Sequence, residues 1–236
     1  MVMSNLFCSS IGKKLVMSIS GLFLVFFLIF HAAMNFVAVI SAEGYDMICE
    51  FLGANWYALV GSLILAAGFL VHIIFSMVIT LKNTKARGPE RYASVGRSAE
   101  VSWAGKNMFV LGLIVLGFIG LHLWQFWAKM QLVEMMGGHE VILGGMTLTP
   151  TSGTAFIQYY FSNICYVILY LVWLAAIWFH LTHGFWSALQ TIGWNNKIWI
   201  PRLERASYWV ATIICACFAL VIIVFYLRSL CPACAA

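Results

Sequence analysis

The sequence predicts an all-α integral membrane protein with five transmembrane helices. Three observations predict it. First, 63% of the 236 residues are hydrophobic and 9% are charged, against about 45–50% and about 25% in soluble domains. Second, five stretches contain no Asp, Glu, Lys or Arg and reach the roughly 20 residues that a helix needs to cross a bilayer. Third, the basic residues gather at alternate ends of those stretches. The chain reads as a single membrane domain, residues 1–236.

The first stretch is Leu15–Val39, preceded by Lys13 and Lys14. It exceeds the apolar length of a secretory signal, about 7–15 residues, and reads as a retained span. The second is Trp56–Leu81 and the third Asn107–Ala128. The fourth, Phe156–Gln190, is longer than a span requires, so it tilts or ends beyond the lipid. The fifth is Ala206–Leu227. Strands are excluded because the runs are long and do not alternate.

With the N-terminus inside and the C-terminus outside, eleven of the thirteen Lys and Arg residues are inside, leaving only Lys129 and Arg228 outside. That is a strong positive-inside bias. The acids Glu43, Asp46, Glu50, Glu134 and Glu140 fall outside. The net charge of +5 therefore belongs to one face and needs no nucleic acid to explain it. A basic inner face suits anionic lipid or a soluble partner.

Cys8, Cys49, Cys165, Cys215 and Cys217 are scattered and read as packing residues. No His follows Cys231-Pro232-Ala233-Cys234, so this is not a c-type haem attachment site; a local disulfide or a pair of thiols fits better. His139 follows two glycines in the long outer loop and has no assigned role.

The other five histidines, His31, His72, His122, His180 and His183, lie inside the spans. Imidazoles at membrane depth either hydrogen-bond between helices or mark function; their presence in four different spans favours a ligand role. Depth sorts them. His31 is 17 residues past Lys14 and His122 is 16 past Lys106, about 25 and 24 Å along helices that run outward. His72 precedes Lys82 by 10 residues and His180 precedes Gln190 by 10, about 15 Å each from the inner end. The pairs are His31 with His122 in the outer half and His72 with His180 in the inner half. His183, one turn deeper, is an alternative to His180.

A planar haem needs one imidazole on each face at one depth, and helix bundles supply such pairs. Zinc or copper also takes histidine, but needs three or four convergent ligands, and these come in separated twos with no Asp or Glu in the spans. Gly21, Gly68, Gly117, Gly120 and Gly184 lie near the histidines in sequence and suit the close approach of a flat ring or ordinary helix packing. Two classes compete: another membrane b-type cytochrome, against which the single well-placed histidine per span argues, and a transporter with histidines along its pathway; broken helices or inverted repeats would signal the transporter, and neither is evident.

The residues resemble a family: the single-chain, five-helix, two-haem cytochrome b subunit (b558 type) of succinate dehydrogenase and fumarate reductase, the succinate:quinone oxidoreductases. The most specific stretch runs from Phe179-His180-Leu181-Thr182-His183-Gly184 to Gly193, followed by Val71-His72 to Arg87. Phe30-His31 and Leu121-His122 to Trp127 fit more loosely. The likeness covers essentially the whole chain. It implies two haem b groups, their irons held by His31 and His122 (distal) and by His72 and His180 (proximal). The family's Gly four residues after its fourth ligand matches Gly184 and favours His180 over His183.

The resemblance further implies a flavoprotein and an iron–sulfur protein docked on the inner face, at the basic loops Lys82–Lys106 and Lys197–Arg205. It implies electron transport to or from menaquinone, in the tricarboxylic acid cycle or anaerobic respiration. It implies a bacterial inner (cytoplasmic) membrane and a complex able to dimerise. A family carboxylate after the first span accepts quinol protons; Asp46 and Glu50 both occupy that region, and no motif chooses between them. One departure stands out. Some fumarate reductases carry a Glu just before the fourth ligand, where this chain has Trp178 and Phe179. Proton exchange is then expected at the membrane edges.

Overall fold

A computed structural model describes residues 9–53, 55–87 and 102–231. Residues 88–101, with Arg91 and Arg97 of the basic inner loop, lie outside the described residues, as do Cys8 and Cys234. The fold is all-α, with five helices long and apolar enough to cross a membrane.

Helix α1 is Ser10–Ile40. Ser9 starts it by accepting the Gly12 N–H at 2.9 Å, the usual job of a serine at a helix N-terminus. Its 31 residues extend about 46 Å, well past the ~30 Å hydrocarbon core. Ser41 then caps the short helix α2, Ala42–Phe51, by accepting from Gly44 N. Helix α3 is Trp56–Arg87. Ser102 caps the one-turn α4, Trp103–Lys106, which leads into α5, Met108–His122.

The third span does not end as a regular helix. A π-helical turn, Leu123–Trp127, follows His122, and Ala128 N–H bonds the Leu123 carbonyl five residues back at 2.7 Å. Single π turns inside helices often sit at functional sites.

The loop after the third span, expected outside, is more ordered than its Gly and Thr content suggests. It contains α6, Gln131–Met135, and a hairpin of β1, Val141–Leu143, with β2, Met146–Leu148. Leu143 pairs with Met146, leaving Gly144 and Gly145 as the turn, both with positive φ, +56° and +84°. Two-residue hairpin turns of this kind need φ > 0 at both central positions, which glycine supplies without steric cost. Val141 and Leu143 are buried against Phe156 and Tyr160.

The long fourth apolar run divides into two helices: α7, Gly153–Phe161, and α8, Ile164–Ile192. Asn163 makes the break, its Oδ1 accepting the Cys165 N–H at 2.9 Å. The length that suggests a tilt is thus shared between a short, largely buried helix and a span. Helix α9, Ile200–Leu230, begins after Asn196, whose Oδ1 accepts from Ile198 N and Trp199 N. Pro201 sits in its first turn, where a missing N–H costs nothing.

By contacts, the described residues form two compact units. One contains residues up to Phe27 with Leu63–Leu113 and Trp178–Ala211. The other contains Leu28–Ser62, Ile114–Ile177 and residues from Thr212 onward. Large apolar side chains such as Phe26, Leu63, Leu70 and Trp209 are exposed along the spans, a surface that requires lipid. The chain is a multi-pass membrane protein.

Within the second unit α2 packs against α7. A Cβ on Gly153 would overlap Cys49 Sγ and lie 2.8 Å from Tyr45 Cε1. Gly153→Ala is expected to lower stability by about 1–3 kcal/mol through overpacking, read as an earlier thermal transition in detergent. Burial pushes the Cys49 thiol up to about 11. The reactive thiolate is therefore scarce at neutral pH. Alkylation of Cys49 should be slow there and should accelerate as pH rises toward that value, with Cys49→Ser as the control.

Candidate functional site

In the first unit, α3 carries His72 and α8 carries His180. Their ring centres are 6.4 Å apart and their planes meet at 72°. Helix α1 supplies a neighbour for His72: the Ser20 hydroxyl donates to the Met17 carbonyl at 3.0 Å and lies 3.4 Å from His72 Nδ1. With its proton committed to Met17, the Ser20 oxygen accepts from Nδ1–H. That tautomer leaves the Nε2 lone pair free for a metal. Gly21 lets α1 come close, since a Cβ there would lie 3.2 Å from His72 Cε1. A Cβ on Gly112 of α5 would meet His180 Cε1 at 3.5 Å, an ordinary contact distance.

His183 has other company. Its Nδ1 is 3.4 Å from Ser102 Oγ, its ring stands edge-on to Trp186, and a Cβ on Gly105 would meet it at 2.8 Å.

In the second unit, α1 carries His31 and α5 carries His122, with ring centres 5.9 Å apart and planes at 80°. Phe218 stands 5.5 Å from His31, and Trp173 of α8 stands 5.6 Å from His122. One turn after His31, Asn35 Nδ2 donates to the His31 carbonyl at 2.8 Å and lies 3.3 Å from its Nδ1, while Tyr45 OH donates to Asn35 Oδ1. In this arrangement His31 Nδ1 is an acceptor. Ligation through Nε2 requires the amide to turn away or to present its oxygen.

Beside His122 lies a group of unmet polar atoms. Gln125, in the π turn, is 2% exposed and accepts from Tyr170 OH at 2.6 Å. Among the described residues Gln125 Nε2, Trp173 Nε1 and His122 Nδ1 have no hydrogen-bond partner, and neither does His180 Nδ1 in the first unit. A buried polar group left unpaired costs about 1–3 kcal/mol. Two of these atoms belong to the histidine pairs themselves, and the other two, on Gln125 and Trp173, are donors.

The pairs fit a haem iron. A metal–imidazole bond of about 2.0–2.1 Å, plus about 1.1 Å from nitrogen to ring centre, places two axial ring centres roughly 6 Å apart. The observed separations, 5.9 and 6.4 Å, match. Two rings sharing one axis are free to take any mutual angle, so the steep angles are compatible. Among the described residues no three His, Cys, Asp or Glu side chains converge. Two imidazoles suffice for a macrocycle that brings its own four nitrogens, but not for a tetrahedral metal site.

Of the five glycines near the histidines in sequence, only Gly21 meets a ligand candidate. Gly68 faces Phe23, Gly184 faces Met108, and nothing lies within 4 Å of a Cβ on Gly117 or Gly120. Ser20, Asn35, Gln125, Trp173 and Gly112 escaped the sequence reading. Asn35 and Gln125 carried a signal, being polar residues four and three positions after a span histidine.

The two candidate proton acceptors on α2 differ. Asp46 Oδ1 accepts the Thr154 N–H at 2.7 Å, capping α7. Glu50 is exposed. A third acid, Glu134, sits against Gly53, where a Cβ would come 2.5 Å from its Oε2. Nearby, Gln131 accepts from Ser62 Oγ and Trp127 Nε1 and donates to the Gly53 carbonyl.

No family model, curated protein or solved structure matches the chain.

Removing the α7 cap separates a structural from a chemical role. Asp46→Ala is expected to lose about 1 kcal/mol and Asp46→Asn only a fraction of that. Glu50→Gln, at an exposed position, should stay within about 0.5 kcal/mol. Thermal melts of the three variants check this.

Proposed function

We propose that the chain is the membrane cytochrome b subunit of a succinate dehydrogenase or fumarate reductase, holding two haem b groups between soluble redox subunits and a quinone. The observation that carries the reading is the pair of imidazole couples, 5.9 and 6.4 Å between ring centres, each joining spans of matching depth. The resemblance of the stretch around His180 supports the choice of family.

His72 and His180 would hold the inner haem, His31 and His122 the outer. Bound there, the haems supply one-electron transfer. Ser20 fixes the His72 tautomer. The aromatic wall of Phe218, Trp173 and Phe126 around the outer pair excludes water, which favours the less charged, reduced iron.

On the side proposed as outer, α1 and α2 line an open apolar groove of about 260 Å³, formed by Phe30, Met34, Gly44, Met47, Ile48, Phe51 and Leu52. It suits part of an isoprenoid quinone, with menaquinone as the proposed substrate. Glu50 lies on the same helix as its lining and is the better proton acceptor of the two, because Asp46 is committed to α7. The apolar runs of the spans contain no acid, Glu204 lying in the first turns of α9, so protons enter and leave at the membrane edge.

The proposed setting is a bacterial inner membrane, with the N-terminus and basic loops on the inner side. There the flavoprotein and iron–sulfur subunits would dock and carry out the dicarboxylate chemistry.

The test is a reduced-minus-oxidised spectrum and redox titration of the protein purified from membranes. Two b-type haems per chain are expected. His31 and His122 variants should lose one transition, and His72 and His180 variants the other. Ser20→Ala should weaken the second site by about 10–100-fold. Absence of haem from assembled protein ends the proposal, and loss of the same transition from His31 and His72 variants overturns the pairing. Copurification of flavin and iron–sulfur subunits tests the complex.

A further inference from the structure

The cytochrome reading assigns the two histidine pairs but leaves the unmet donors beside His122 without a purpose. Gln125 and Trp173 are 2% and 9% exposed. A purely packing role at such positions is met by leucine and phenylalanine, which bring no N–H to satisfy. The Gln125 oxygen takes the Tyr170 proton at 2.6 Å, and its nitrogen is the end left over. The Tyr170 ring is 5.5 Å from that of Trp173, which is 5.6 Å from that of His122. Both unmet N–H groups are therefore within one side chain of the same ligand candidate.

What these donors lack is an acceptor, and the five apolar runs that carry no charge hold no Asp or Glu to provide one. A haem brings two propionate carboxylates, acceptor-only groups that are costly to bury without donors. We propose that Gln125 Nε2 and Trp173 Nε1 donate the hydrogen bonds that seat a propionate of the haem held by His31 and His122. This rests on the cytochrome reading. It gives the π turn a purpose: Gln125 lies three residues past His122, and the wider turn brings its amide to Tyr170 of α8.

A chemical double-mutant cycle on the full-length chain tests it. Wild type, Gln125→Leu and Trp173→Phe are each loaded with haem b and with haem b dimethyl ester, whose propionates carry no charge. With haem b, each variant should release the outer haem about tenfold faster, the factor one charge-assisted hydrogen bond corresponds to. The His72–His180 haem should be unaffected, and the outer midpoint potential should fall as the carboxylate loses its donors. With the ester, variants and wild type should agree within about twofold.

An equal loss with both haems would mean packing and overturn the assignment. So would unchanged haem release with either. Weakened binding of a naphthoquinone probe with haem release intact would give the donors to a quinone carbonyl instead, and also overturn it. A wild-type chain that takes up no haem at all would bring down the cytochrome reading together with this inference.

Discussion

Inside a bilayer there is no water to bond a stranded N–H or imidazole nitrogen, so every polar atom on a span needs a partner in the protein or in something the protein binds. The interior of this chain is organised by that constraint. Ser20 answers His72, Asn35 and Tyr45 form a relay beside His31, and Gln125 with Tyr170 flanks His122. The polar residues lie close to the histidines because that is where an unpaired group would cost most. Where the chain's own partners run out, at Gln125 Nε2 and Trp173 Nε1, the proposed haem would supply the acceptor.

The two pairs share a pattern. In each, one histidine has a polar neighbour at Nδ1, and the other, His180 or His122, has none. The partnered members are on α3 and α1, and in both cases the neighbour comes from α1. Helix α1 thus tunes both pairs, through Ser20 for one and Asn35 for the other. A substitution at Ser20 of α1 can alter the basicity of the His72 imidazole on another helix.

The parts of this arrangement that follow from fixed geometry were legible in the sequence. Rise per residue is constant in a helix, so counting from flanking charges grouped His31 with His122 and His72 with His180, the same couples that lie ring to ring. Span number followed from the lengths of apolar runs. What depends on which helix packs on which was not legible. Nothing local links Ser20 to His72, 52 residues on, or Gly112 to His180. The outer hairpin was missed because a Gly-Gly pair flanked by only three-residue strands is weak as pattern, although its turn chemistry was present. The fourth run was read as one element because Asn163 lies within it without interrupting hydropathy.

The π turn at Leu123–Trp127 bears on how this chain tolerates changes of length. A π turn is an α turn with one residue added, and the widened turn absorbs it, so the segments on either side keep the phase of a continuous helix. Deleting a single residue there would restore regular pitch and leave those segments facing as they do now. What would change is local: the wide turn that closes the third span carries Gln125, and tightening it would draw that amide away from Tyr170.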